Sequence, residues 1–383
     1  MIDNNYLILL LVCLTFGGYF FIPVEYVPTY IGYFFVLITS LFLLKNNTEN
    51  KVLYYLAFVS LSLVLAFRDH MGIDDSNYEF RFNYASHSQF FPFLMSTDQE
   101  KGFLAYEFII NKLVFGNYYC FQIITTLLTL FLWGNLISKV KNESNLLILV
   151  FFLWTNWYFW VLYAGVIRIF LAIPIALHSV LYVLKNEWIK AFVVICLAAT
   201  IHTSSLFMLI LLIFKNDNCY LFWKRIIIFP ILVMPILFIV LAKFIIPYLG
   251  SRHAGVTLQT LGYSLGGLNL LPFLLIGGYS FNTIDGEYSK KLYVIGLFLI
   301  SCSIGVSTFG LMIPELGRLI YYGNWGIPLV AGILYYNQKR ESYNTLFLLL
   351  FLLYGFLYIM FTAYLNPQAV QHLFPYRSFI FIK

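Results

Sequence analysis

Long apolar runs separated by short polar loops dominate this chain, and the pattern predicts a bundle of membrane-spanning helices. A spanning helix needs about 20 mainly apolar residues, or fewer where helices pack tightly. Ten segments meet this requirement, at about 6–22, 28–44, 52–67, 120–138, 145–163, 165–184, 226–247, 291–313, 319–336 and 344–363. Weaker candidates lie at about 103–116, 190–213 and 266–280. The predicted fold is an all-α polytopic membrane protein with about 11–14 transmembrane helices, forming one integral membrane domain over residues 1–383.

One long segment, from Ala66 to Phe103, is too polar to remain in a bilayer. Its ionisable residues include Arg68, Asp69, Asp74, Asp75, Glu79, Arg81, Asp98, Glu100 and Lys101. The segment after it, 103–116, carries Glu107, Asn111 and Lys112, which suit a re-entrant or interfacial helix better than a crossing. We therefore expect residues 68–116 to form an outer-face loop followed by such a helix.

The basic residues of the short loops predict the orientation, because Lys and Arg concentrate on the cytoplasmic face. The six basic loops are Lys45 to Lys51, Lys139 to Lys141, Lys185 to Lys190, Lys215 to Arg225, Lys290 to Lys291 and Lys339 to Arg340. All six lie on one side only if 190–213 turns back near His202, as two short helices, and 103–116 does not cross. The result is about 13 crossings with the amino terminus inside. The amino terminus also lacks the basic region of a cleaved signal peptide, so we expect it to begin with a spanning helix.

The composition excludes a water-soluble protein. Hydrophobic residues make up 61% of the chain and charged residues only 10%, with a mean hydropathy of +0.83, whereas a soluble domain has about 25% charged residues. The net charge of +6 therefore reflects membrane orientation and not nucleic-acid binding. The chain has no Walker A, dinucleotide-binding or HExxH motif, which disfavours ATP-driven transport and zinc proteolysis.

Two arginines lie within predicted spanning segments, where a guanidinium is costly and is often functional. Arg168 and Arg318 both lie near a predicted outer helix end. One interpretation is an anchor that reaches the interface, with Glu315 as a partner for Arg318. The other is a pair of fixed, permanently charged groups that bind a diphosphate.

His202 is the candidate proton acceptor, at the predicted break between two helices. Its imidazole has an unperturbed pKa near 6.5, which suits a general base near neutrality. A structural helix cap is the alternative, and the hydroxyls of Thr203, Ser204 and Ser205 would then cap the next helix.

The polar segment supplies candidate carboxylates. Asp74 and Asp75, with Tyr78 nearby, are similar to pairs that hold a divalent cation, although one of them could cap a turn or pair with Arg68 or Arg81. Glu100 is a second candidate for proton transfer or sugar contacts. A metal is possible but not favoured, and no cofactor is expected.

A Gly-rich outer loop comes after the helix predicted at about 226–247. It contains Arg252 and His253, which are candidate substrate contacts if this loop covers the site. A solvated loop is the default interpretation.

The order and spacing of several short motifs resemble the EpsG-like family of Wzy-type polysaccharide polymerases. The motifs are Arg68-Asp69 with Asp74 and Tyr78, Glu100-Lys101-Gly102-Phe103, the helix after Arg168, Ile201-His202-Thr203-Ser204, Gly317-Arg318 and Pro375-Tyr376. The resemblance implies a multi-pass enzyme of the bacterial cytoplasmic (inner) membrane, acting on its outer, periplasmic or extracellular, side. Such enzymes join oligosaccharide repeat units carried on undecaprenyl diphosphate into O-antigen, capsule or exopolysaccharide.

The resemblance maps the family's charged positions onto Arg68, Asp74, Glu100, Arg168, His202 and Arg318. We expect Arg168 and Arg318 to stabilise the diphosphate leaving group, and His202 or a carboxylate to accept the acceptor proton. Further contacts to diphosphate or sugar are expected from Arg68, Tyr78, Arg252 and His253.

The expected partners are the lipid-linked oligosaccharide, membrane lipids and a possible chain-length regulator protein, with no nucleic acid. Two other functions are open. One is a ligase that moves finished polymer from its lipid carrier to another acceptor. The other is a non-enzymatic flippase or transporter, which would need polar residues through the full depth of the bundle.

Overall fold

The computed structural model describes residues 52, 65–70, 72, 74–139, 166–215, 221–244, 270–310 and 318–336. This described part is 85% helical and contains no strand, which confirms the predicted all-α class. Its contacts form two compact units. The first contains residues up to Ala176 together with Leu197–Thr203, and the second contains Leu177–Cys196 and the described residues from Ser204 onwards.

Three helices are long and apolar enough to span a bilayer among the residues described. They are α4 (Tyr118–Lys139), α5 (Ile167–Leu184) and α9 (Glu287–Gly310). Each coincides with a span predicted from hydropathy. The predicted span at 226–247 corresponds to the helix α7 (Trp223–Phe244), which begins with Trp223, Lys224 and Arg225.

Several predicted spans lie outside the described residues. These are 6–22, 28–44, 145–163, 344–363 and nearly all of 52–67. The total of about 11–14 crossings therefore stays a prediction.

The polar segment forms short helices, α1 (Asp75–His87) and α2 (Phe90–Met95), and leads into α3 (Lys101–Leu113). At about 1.5 Å per residue, a helix such as α3 is roughly 20 Å long, which is too short to cross a hydrocarbon core of about 30 Å. It also buries Glu107 and Asn111. A short polar helix is what the re-entrant or interfacial prediction requires at 103–116, although its placement at the outer face stays a prediction.

The segment 190–213 is divided at His202, where the distribution of basic loops predicted a turn, and the return of the chain to the same membrane face stays a prediction. The helix α6 (Trp188–Ile201) ends there, and a 3-10 helix begins at Thr203 and continues to Lys215. Neither helix reaches the length of a full span.

Aromatic packing forms the core of the first unit. The buried cluster joins α1, α3, α4 and the start of α5, and consists of Tyr78, Phe82, Phe103, Tyr118, Phe121 and Ile167. A buried ion pair crosses the same interface, because the Arg81 guanidinium of α1 contacts the Glu107 carboxylate of α3 at 2.5 and 3.1 Å. The aromatic cluster therefore joins the polar segment to α4, and the ion pair joins α1 to α3.

The second unit is built around α9, which packs against α7 and α8 (Leu271–Tyr279), and against α10 (Ile320–Gly323) and α11 (Gly326–Tyr336). Glycine permits this close packing. A Cβ atom on Gly326 would lie 2.1 Å from the Gly296 carbonyl oxygen, and one on Gly323 would lie 2.6 Å from that of Leu299. The single span predicted at about 319–336 is instead two helices, separated by Asn324 and Trp325, because the Gly323-Asn324 sequence interrupts it.

Candidate active site

Arg168 occupies the first turn of α5 and connects two other predicted site residues. Its Nη1 atom donates a 2.6 Å hydrogen bond to Glu100 Oε2, and its Nε atom donates a 3.4 Å bond to the Tyr78 hydroxyl. The side chains of Arg168 and Glu100 are each only 13% exposed. Residues that are 68 and 90 positions apart in sequence thus meet at one guanidinium.

Glu100 also contacts the residue that comes directly after the helix break. Its Oε1 atom accepts hydrogen bonds from the Thr203 backbone N–H at 3.1 Å and the Thr203 hydroxyl at 3.2 Å. Burial alone would raise the pKa of the Glu100 carboxyl. The charge of Arg168, the nearby imidazole of His202 and the Thr203 N–H outweigh that effect, so the pKa of Glu100 lies below its usual value. Glu100 is therefore an ionised carboxylate at neutral pH.

Gly102 allows Glu100 to reach Thr203. The first turn of α3 lies directly against the carboxyl end of α6, where a Cβ atom on Gly102 would be 2.3 Å from Thr200 Oγ1 and 2.6 Å from the Thr200 carbonyl oxygen. Glycine is the one residue type that permits this approach, because any side chain would force the two helices apart.

Gly102→Ala should therefore reduce activity, even though alanine stabilises an α-helix more than glycine does. Separating α3 from α6 would lengthen the contact between Glu100 and Thr203, and a displacement of about 1 Å at a catalytic group can reduce a rate by about 100-fold. We expect at least a tenfold loss of polymer-forming activity, measured in membranes with equal amounts of inserted protein.

The matched control is Gly278→Ala in α8, where the added Cβ would meet Trp223 at an ordinary distance of 3.4 Å. This variant should retain activity. Equal activity of the Gly102 variant would show that the close approach is not required.

Tyr78 lies in α1 with its ring buried and its hydroxyl directed to Arg168. Burial raises the pKa of Tyr78 more than the charge of Arg168 lowers it, so the phenol stays protonated. Its ring contacts Phe103 edge-on at 6.0 Å, and the Arg81 guanidinium lies 5.1 Å from its centroid. The phenol is thus fixed between two arginines.

His202 is buried, at 4% exposure, in the break between α6 and the 3-10 helix. Its backbone N–H donates to the Ala198 carbonyl at 2.9 Å and so closes the last turn of α6. Its ring is near enough to Glu100 to influence that carboxylate electrostatically. His202 therefore belongs to the same cluster as Tyr78, Glu100 and Arg168.

Arg68 and Asp75 have different surroundings from this cluster. Arg68 is 2% exposed and contacts the Asp75 carboxylate at 3.0 and 3.3 Å and the Leu65 carbonyl at 2.8 Å. Asp75 also accepts the Gly72 N–H at 2.7 Å. The interpretation of Asp75 as a partner of Arg68 fits this geometry, and the predicted contact of Arg68 with substrate stays a prediction.

Asp74 immediately precedes α1, and its carboxylate makes no cap to the helix. It is near enough to act electrostatically on Tyr78. Within the described ranges, no three His, Cys, Asp or Glu side chains are grouped as metal ligands.

Arg318 lies in the second unit, half-buried in the turn before α10. Four residues later, the Tyr322 hydroxyl hydrogen-bonds to Ser205 at 2.8 Å and to Ser204 at 3.2 Å. The turn after Arg318 is thus tied to the start of the 3-10 helix. The predicted contacts Arg252 and His253 lie outside the described residues.

The helical fold, the spanning helices and the buried ionisable cluster define a polytopic membrane protein with a candidate anion-binding site. The model of the EpsG family matches residues 51–378, which is most of the chain. The chain therefore belongs to the EpsG family, whose members are Wzy-like polysaccharide polymerases. No curated protein and no solved structure matches it.

Proposed function

We propose that this protein polymerises oligosaccharide repeat units carried on undecaprenyl diphosphate, at the outer face of the bacterial cytoplasmic membrane. Membership of the EpsG family supports a polysaccharide polymerase. The observation that carries the proposal is the convergence of Tyr78, Glu100, Arg168 and His202 in one buried cluster. A guanidinium, an imidazole and hydroxyl groups in a site of low dielectric suit the departure of a diphosphate.

The reaction transfers the growing glycan from its lipid diphosphate to an incoming lipid-linked unit. The bond between the anomeric carbon and the diphosphate oxygen breaks, and the electron pair leaves with the diphosphate. A hydroxyl of the acceptor sugar forms the new bond to the anomeric carbon and loses its proton. Arg168 stabilises the charge that develops on the diphosphate, which is usually the largest catalytic term. Arg318 is proposed as a second such cation.

His202 is proposed as the general base. Glu100 is a poor base in this arrangement, because the Arg168 cation and the donors around it lower its pKa. Tyr78 contributes a protonated phenol beside Arg168, and Asp74 contributes negative charge at the edge of the cluster. Arg252 and His253 stay proposed contacts to the sugar or the diphosphate. No nucleotide is required, because the leaving group is already an activated diphosphate.

Elongation by the purified protein tests this proposal. In lipid nanodiscs with lipid-linked repeat units, we expect ladders of increasing length without nucleotide or a partner protein. His202→Gln should slow elongation by about 10²- to 10⁴-fold. The wild-type rate should also fall as the pH drops from about 7 to 6, where an imidazole becomes protonated. A carboxylate base such as Glu100, whose pKa lies below its usual value, would keep its rate over this pH range.

His178→Gln is the matched control, since it makes the same substitution further along α5 and should retain normal ladders. Normal ladders from His202→Gln would contradict the base assignment. Transfer of preformed polymer without elongation would instead indicate a ligase, and movement of lipid-linked units across the bilayer without new glycosidic bonds would indicate a flippase. A change in ladder length on adding a chain-length regulator would identify that protein as a partner.

A further inference from the structure

Three hydrogen-bond donors converge on the Glu100 carboxylate. Arg168 Nη1 contacts one oxygen at 2.6 Å, and the backbone N–H and hydroxyl of Thr203 contact the other at 3.1 and 3.2 Å. One donor is a permanent cation and two are neutral. This combination binds phosphate as well as carboxylate, because the oxygens of both anions accept charge-assisted hydrogen bonds from the same groups.

The donors differ in their exposure. Arg168 and Glu100 are mostly buried, at 13% exposure each, whereas Thr203 is exposed. Glu100 precedes the first turn of α3 and therefore reaches the donors from the end of a helix. A rotation of its side chain would release all three donors without moving Arg168 or Thr203.

We propose that Arg168 and Thr203 together form a cradle for one phosphate group of the lipid diphosphate, and that Glu100 occupies this cradle only while the substrate is absent. This inference rests on the proposed function and adds Thr203 as a substrate-binding residue. Glu100 is then an internal competitor for the site. Its ionised state, which Arg168 and the Thr203 N–H favour, makes it an effective competitor.

Competition has a measurable consequence. When a site is available for only a fraction of the time, the apparent dissociation constant rises by the inverse of that fraction. If Glu100 fills the cradle for about nine-tenths of the time, its removal tightens ligand binding about tenfold. A carboxylate that merely positioned Arg168 would have the opposite effect, because its removal would loosen the guanidinium.

The test uses the full-length protein in nanodiscs and farnesyl diphosphate as a short polyprenyl diphosphate, with binding measured by calorimetry. Glu100→Gln should bind about tenfold more tightly than the wild type. Thr203→Val, which removes the hydroxyl and keeps the backbone N–H, should weaken binding severalfold in both the wild-type and Glu100→Gln backgrounds. Farnesol, which lacks the diphosphate, should not distinguish these variants.

Asp98→Asn is the matched control. It removes the same charge from an exposed residue two positions before Glu100 and should leave the affinity unchanged. If Glu100→Gln binds with equal or lower affinity than the wild type, the proposal is overturned. Should the Gln variant fail to fold, Glu100→Asp provides the test, because its shorter side chain cannot reach both Arg168 and Thr203 and should tighten binding to an intermediate degree.

Elongation measured on the same preparations separates this proposal from the proposed function. Wild-type ladders without tighter binding by Glu100→Gln would reject only the cradle and its internal occupant. Tighter binding without wild-type ladders would support the cradle and reject the polymerase.

Discussion

Replacing Arg168 by lysine should abolish most polymer formation, with a loss of roughly 10²- to 10³-fold in the elongation rate. Lysine keeps the positive charge but replaces a planar group of five N–H donors with a single ammonium. It cannot donate to the Glu100 position and to the Tyr78 hydroxyl with the geometry that the guanidinium provides. Arg168→Ala should be at least as severe. The measurement is the ladder produced by purified protein in nanodiscs, normalised to the inserted protein.

The matched control for this variant is Arg225→Lys at the start of α7. Arg225 is exposed, and its guanidinium lies 6.0 Å from the Phe222 ring, so either cation serves there and activity should be retained. Helical content and thermal unfolding should be the same for both variants and the wild type. Normal chain lengths from a well-folded Arg168→Lys protein would disprove the role of Arg168 at the diphosphate.

The sequence permitted accurate prediction where a local property decides the structure. Hydropathy located α4, α5 and α9 close to their observed bounds, since a spanning helix must satisfy its own backbone hydrogen bonds. The distribution of Lys and Arg predicted the break at His202, because one continuous crossing would have placed half of the basic loops on the wrong face.

Hydropathy and charge distribution could not predict which residues distant in sequence pair with each other. Glu100 and Arg168 were each predicted as site residues from their charge, but their contact across 68 positions depends on how α3 and α5 pack. Thr203 was considered as a helix cap and as part of a family motif, but not as a partner of Glu100, which it contacts across 103 positions. The available signal was Gly102, because a glycine two positions after a candidate carboxylate is consistent with a close approach of another backbone.

The ion pair between Arg81 and Glu107 was missed for the same reason. Arg81 was noted as a partner for an aspartate near α1, whereas its carboxylate partner lies 26 positions away on α3. The sequence of a short amphipathic helix does not identify the partner of a polar residue, because the partner depends on how that helix packs against another.

Glu107→Ala should give the largest loss of stability among the substitutions considered. Glu107 is fully buried and Arg81 is 7% exposed, so removing the carboxylate leaves a buried guanidinium without its ion-pair partner. Breaking a buried pair from one side lowers the free energy of unfolding by about 3–5 kcal/mol. Since natural domains are stable by about 5–15 kcal/mol, this variant should unfold at a much lower temperature in detergent or nanodiscs.

The loss of Glu107 should also disturb the active site, because the Arg81 guanidinium packs against two aromatic rings there. Its guanidinium lies 5.1 Å from the Tyr78 ring and 5.5 Å from the Phe103 ring, and it also donates to Gln99, the residue before Glu100. A guanidinium that leaves this position to find water would disturb both Tyr78 and Glu100. We therefore expect the elongation rate of Glu107→Ala to fall together with its stability.

Two further variants separate the buried charge from the loss of packing. Arg81→Met with Glu107→Met removes both charges at similar volume and should recover most of the lost stability, as replacement of a whole buried pair by apolar side chains often does. Glu79→Ala removes a carboxylate of α1 that lies 3.6 Å from His70 and is 32% exposed, and should cost less than about 1 kcal/mol. If the double variant were as unstable as Glu107→Ala, the unpaired guanidinium would not be the cause, and the contacts of the ion pair itself would stabilise the packing of α1 against α3.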